Sequence, residues 1–264
     1  MTFVPALPAR GIAGLSFLDR TMTAQRKVHD AQPALRRDEA YFRERIGRIE
    51  RAADLVADPR LLRVALTAFG LEADIGNRFF IRKVLEDGTI DPGAFANRLA
   101  DKRYRALSAA FGFGDFAIPN TTLSDFPDRI LESWKTRRFE AAVGARDEAM
   151  RLALNARREL QDIAAQPLTE DARWFTVMGN APLRRVVETA MGLPPTFGAL
   201  DLDRQLGVFK ARARALFGAE GAAALAEPAR LERLVRLYLA RADLGGAGAA
   251  PPAVLQLLQG RRGA

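Results

Sequence analysis

Residues 58–71 read DPRLLRVALTAFGL, and residues 180–193 read NAPLRRVVETAMGL. Seven positions agree without a gap: Leu61/Leu183, Arg63/Arg185, Val64/Val186, Thr67/Thr189, Ala68/Ala190, Gly70/Gly192 and Leu71/Leu193. Each stretch opens on a capping residue ahead of a proline and closes on glycine, which is how a helix starts and stops. One helical unit used twice predicts an internally duplicated scaffold. The likeness extends more thinly downstream. ANRLADKRYRALSAAFG (96–112) and DRQLGVFKARARALFG (203–218) both run from a leucine, Leu99 or Leu206, through a basic middle to Phe-Gly.

Working outward, the patterning is helical. No sustained two-residue alternation occurs, and no Asn-Gly or Asp-Gly turn joins two apolar runs. Asp87-Gly88 reads as a helix-ending turn. The fold class expected is all-α, a helical bundle built from two related multi-helix units joined by a long helix. Residues 1–35 read as an irregular arm broken by Pro5, Pro8, Gly11, Gly14 and Pro33, with one short helix around 15–28. The first unit, 36–125, holds helices over 37–56, 59–69, 74–86 and 92–111, then the loop FGFGDFAIPNTTLSD (111–125). A connecting helix fills 126–165, kinked near Gly144. The second unit, 166–243, holds helices over 170–178 (capped by Thr169), 181–191, 201–217 and 228–242. LGGAGAAPP (244–252) opens a Gly/Pro linker, and VLQLLQ lies in an apolar tail that ends the 244–264 segment.

At 264 residues and 48% hydrophobic content the chain supports a sizeable core. It has no cysteine, so disulfides and thiolate metal sites are excluded. No apolar run is long enough to span a bilayer, so no membrane insertion is expected. The opening MTFVPALPARGIAGLSFLDR lacks the order of a secretory signal, which points to a cytoplasmic chain. The formal charge is +8, and only five of forty basic residues are lysine. That excess has two readings, a surface for anionic partners or an arginine-rich coding bias.

Chemistry-bearing clusters are scarce. The single histidine, His29, falls in the arm and reads as exposed. No His or Cys spacing suits a metal, and no cofactor is expected. GFGD (112–115) lacks the strand, third glycine and basic residue of a phosphate loop, and reads as a helix cap and turn. No catalytic residue is assigned, and the chain is read as no enzyme. Three features are candidates for interaction. DKRYRAL sets Lys102, Arg103, Tyr104 and Arg105 within two turns, either as a nucleic-acid surface or as Tyr104 packed inward with the charges left in water. Arg63 and Arg185 hold equivalent places on apolar helices. They either pair with Asp74, Asp101, Asp201 or Asp203, or contact a partner. Leu255, Leu257 and Leu258 in the tail dock in cis or serve another protein.

Several segments carry a family resemblance. YFRERI (41–46), DPRLLRVALTAFGLEADI (58–75), FIRKVLEDG (80–88), NRLADKRYRALSAAFGFGD (97–115), FEAAVG (139–144), MRLALNARREL (150–160) and PLRRVVETAMGLP (182–194) resemble the DUF1217 family of uncharacterised alphaproteobacterial proteins. The likeness spans about residues 15–220. Genes of that family often lie among flagellar genes, so the resemblance implies a flagellum-associated protein and carries over no cofactor or catalytic residue. The expectation is a non-catalytic interaction or assembly protein with flagellar protein partners, cytoplasmic before any export by the flagellar apparatus. A nucleic-acid-binding regulator is the alternative, and the sequence leaves the oligomeric state open.

Overall fold

The computed structural model describes residues 3–247 and contains thirteen α-helices, with no strand among the described residues. They are α1 (Gly11–Asp30), α2 (Pro33–Arg45), α3 (Ala52–Ala57), α4 (Pro59–Ala68), α5 (Arg78–Glu86), α6 (Phe95–Arg98), α7 (Arg103–Phe111), α8 (Phe126–Gly144), α9 (Glu148–Ala165), α10 (Glu170–Gly179), α11 (Ala181–Met191), α12 (Leu202–Phe217) and α13 (Pro228–Ala247). The fold is all-α.

The repeated stretches form α4 and α11, and they are built alike. Asp58 caps α4 by accepting from the Arg60 and Leu61 amides, and Asn180 caps α11 by accepting from the Leu183 amide. Each helix ends on a left-handed glycine, Gly70 at φ +69° and Gly192 at φ +67°. The Leu71 amide then donates to the Leu66 carbonyl, and the Leu193 amide to the Glu188 carbonyl. Each packs against a later long helix, α4 on α8 and α11 on α13.

Two apolar cores result. Phe42, Leu61, Leu66, Phe111, Phe126 and Trp134 lie in one, and Phe139, Leu160, Trp174, Val186, Phe209 and Leu234 in the other. Each such side chain contributes about 1.5–3 kcal/mol on burial. Helix α8 enters both, through Trp134 and then Phe139.

Several sequence expectations are corrected. The 1–35 arm is mostly the helix α1, whose Leu15 and Leu18 are buried in the second core and not the first. The 126–165 connector is two helices folded back on each other. The chain turns at 145–147, and the Asp147 carboxylate restarts it by accepting from the Met150 amide at 2.9 Å. The 37–56 helix breaks because Ile49 is extended and its carbonyl accepts from the Thr121 hydroxyl at 2.7 Å. The 92–111 helix breaks at Leu99, where the Lys102 ammonium takes the Asn97 and Leu99 carbonyls, each at 2.8 Å. Residues 244–247, expected as linker, continue α13. His29 is buried at 2% exposure rather than exposed, because Phe3 and Phe139 enclose its ring.

Candidate functional site

Arg63 and Arg185 stand on the outer faces of α4 and α11, both exposed. The carboxylates expected for them are otherwise engaged. Asp74 accepts from the Tyr104 hydroxyl, Asp101 holds Arg103, and Asp201 caps α12. Asp203 forms no ion pair with either arginine among the described residues. Neighbouring arginines take the nearby acids instead, Arg60 with Asp38 at 2.7 Å and Arg184 with Glu188 at 2.6 Å. Among the described residues neither Arg63 nor Arg185 pairs with any of the four acids expected for them, although the Arg151 bond and, behind it, the Arg185 charge hold the Glu148 carboxyl below the usual range. The two guanidiniums occupy equivalent places in the repeat. Arg63 borders a groove of about 630 Å³ with Tyr41, Asp54 and Asp58. The guanidiniums of Arg45 and Arg60 lie 4.9 and 4.4 Å from the Tyr41 ring centre.

The DKRYRAL stretch is turned largely to internal use. Arg103 grips Asp101 and also donates to the Gly70 carbonyl at 2.5 Å. Tyr104 donates to Asp74 at 2.7 Å and meets Phe80 edge-on. Burial and that carboxylate raise its hydroxyl pKa above the ordinary tyrosine range. Lys102 is spent on the two carbonyls already named, and desolvation pulls its pKa below the usual lysine value. Arg105 is exposed and touches Asn97 at 2.9 Å. The expectation that these charges stay in water fails for Lys102 and Arg103. Leu255, Leu257 and Leu258 lie outside the described residues.

A buried ionic cluster where the two units meet was not anticipated. Arg137 of α8 donates to the Ala68 carbonyl at the end of α4 and to Glu159 of α9, both at 2.9 Å. Arg158 forms a two-pronged bond to Glu140, 3.0 Å on each prong, and a third bond to Glu159 at 2.7 Å. Asn180 donates to the other Glu159 oxygen at 3.1 Å while capping α11. Burial pushes the Glu159 carboxyl up, but Arg158 and Arg137 outweigh it and hold its pKa below the usual range. Desolvation lowers the Arg137 pKa, with the nearby Arg158 charge acting the same way. The end of one repeated helix is thereby bonded, through Arg137 and Glu159, to the start of the other. The repeat extends to this feature: the Ala190 carbonyl, equivalent to Ala68, is gripped by Arg241 of α13.

Among the described residues no group of three or more His, Cys, Asp or Glu is placed to hold a metal. No helix there is long and apolar enough to cross a membrane. GFGD acts as cap and turn. Gly112 ends α7 in the left-handed region, and Asp115 accepts from the Ile90 amide and the Thr89 hydroxyl.

The sequence model of a family described as "Protein of unknown function (DUF1217)" matches residues 68–229. No curated protein matches the chain. A crystal structure of an Agrobacterium tumefaciens protein superposes with a TM-score of 0.74 at 23% identity, covering 92% of this chain and 99% of that one. At that identity the likeness shows a shared fold alone.

Proposed function

The chain belongs to the DUF1217 family, and on that premise we propose that it is a non-catalytic, flagellum-associated interaction or assembly protein. It presents helical faces to protein partners and acts in the cytoplasm before any export. The observation that carries this reading is the pair Arg63 and Arg185. A duplicated helix repeats an exposed arginine that forms no ion pair among the described residues. Arginine recognises carboxylate groups through two parallel hydrogen bonds, so acidic protein surfaces suit it. The nucleic-acid alternative is the weaker reading, because Lys102 and Arg103 are committed inside the chain.

The test is affinity capture from cells, with the wild type, an Arg63→Glu/Arg185→Glu double variant and a chain cut at Asp243. The double variant is expected to fold with stability within about 0.5 kcal/mol per site, as surface changes do. It is expected to lose the flagellar components that the wild type retains, and deletion of the gene is expected to impair swimming. Normal swimming with no flagellar protein captured overturns the proposal. Binding of DNA or RNA that collapses steeply with salt favours the alternative.

A further inference from the structure

Residues 3–10 run back along α1 as an extended strap. The Phe3 amide donates to Gln32 Oε1 at 3.0 Å. The Ala6 amide donates to Gln25 Oε1 at 2.9 Å, and Gln25 Nε2 donates back to the Ala6 carbonyl at 3.1 Å. These bonds lay Phe3 over His29, with ring centres 5.4 Å apart and edge-on. His29 also meets Phe139 of α8 at 5.6 Å, and the Phe3 and Phe139 ring centres are 6.1 Å apart, so the three rings form one cluster. The His29 side chain is 3% exposed, and among the described residues its ring has one polar partner, Asp30 Oδ1 at 2.8 Å from Nδ1. A groove of about 570 Å³, lined by Phe3, Val4, Ala24 and Val28 among others, runs beside the strap.

We propose that this strap is a proton-released latch: protonation of His29 detaches residues 3–9 from α1 and opens the face of α1 and α8 that they cover. Covering an imidazole with phenyl rings removes the water that stabilises its charged form. The charged groups facing the ring are Asp30 and Arg26 on α1 and Arg138 on α8. Asp30 favours the imidazolium and the two arginines oppose it, while residues 3–9 supply no charge at all. Burial is the largest influence and sets the His29 pKa below its ordinary value. The sign follows from linkage. The closed strap binds fewer protons than the open one, so closure is fully favoured above the ordinary histidine pKa of about 6.5. Closure weakens as pH falls from there toward the lower value of the covered ring.

The full chain lacks cysteine, so Val4→Cys, at an exposed strap position, carries a spin label as the sole thiol. The label's spectrum and the proton NMR signal of the sole imidazole are followed from about pH 7.5 to about pH 5. The mobile fraction of label is expected to rise several-fold, with a midpoint that coincides with titration of His29. In His29→Phe and His29→Leu backgrounds the label is expected to stay immobilised throughout. Three results overturn the proposal: a label equally immobile at both ends of the range, the same release in both histidine variants, or an imidazole titrating at or above about 6.5. If neither variant folds, the coincidence or divergence of the two wild-type midpoints decides it.

Discussion

Glu159 carries more than any other single side chain at the junction. It receives Arg137, Arg158 and Asn180, and its side chain is 11% exposed. Removing one member of a buried ion pair costs about 3–5 kcal/mol, because the charge left behind has neither water nor partner. Glu159→Gln is therefore expected to lower unfolding free energy by that order, read as a reduced urea midpoint at unchanged slope. The pH dependence has a definite sign. The folded carboxyl titrates below the ordinary range, so its contribution is complete above about pH 4.3. It fades as pH falls from there toward the folded value, and the gap between wild type and variant should narrow over the same interval. Asn180 explains a difference between the two repeats. Asp58, its counterpart, takes the Tyr41 hydroxyl, a donor. Asn180 faces a carboxylate and must itself donate, which an aspartate there could not do.

The repeated helix shows what a local sequence signal can and cannot reach. Gly70 and Gly192 both require positive φ, and an alanine there costs about 1–2 kcal/mol from backbone strain. The surroundings then separate them. An added Cβ would lie 2.6 Å from an Arg137 nitrogen at Gly70, but 3.1 Å from the Arg241 nitrogen at Gly192. Gly70→Ala is expected to destabilise more than Gly192→Ala in thermal melts. Gly207→Ala, in mid-α12 with open space around it, is expected to stabilise by about 0.5–1 kcal/mol. Caps and stops of this kind were readable because Asp58, Asn180, Thr169 and the closing glycines act within a few residues of themselves. The breaks at Ile49 and Leu99 were not, since a distant hydroxyl from Thr121 and a lysine folded back from Lys102 take the freed carbonyls. The connector looked continuous although the Asp147 cap is itself a local signal; what folds the two helices back on each other is Arg158 reaching Glu140 across the hairpin, 18 residues away in sequence. The whole junction cluster shares that origin, so only Asn180 of its members was visible in the sequence, and then only as a cap.

At the scale of the molecule, two cores share one rod. Helix α8 gives Trp134 to the first and Phe139 to the second, and α1 closes over the second from the far end of the chain. A rod through both cores couples their unfolding, and the Arg137–Glu159–Asn180 bridge adds a side-chain tie between α4, α9 and α11. The chain has two tryptophans, and they divide cleanly. Trp134 lies in the first core, while Trp174 lies in the second, where it stacks on Phe209 at 5.2 Å and donates to the Glu220 carbonyl. Trp174→Phe thus leaves a fluorescent reporter of the first core, and Trp134→Phe leaves one of the second. With the bridge intact both reporters are expected to lose native fluorescence at one denaturant midpoint, as a single cooperative unit requires. In a Glu159→Gln background the midpoints are expected to separate. The second core should melt later, because α1, α9 and α13 pack around it in addition to α10 and α11. Coincident midpoints in both backgrounds would mean that α8 alone carries the coupling. Separate midpoints already in the wild type would mean that the two units are independent folding bodies joined by a shared helix.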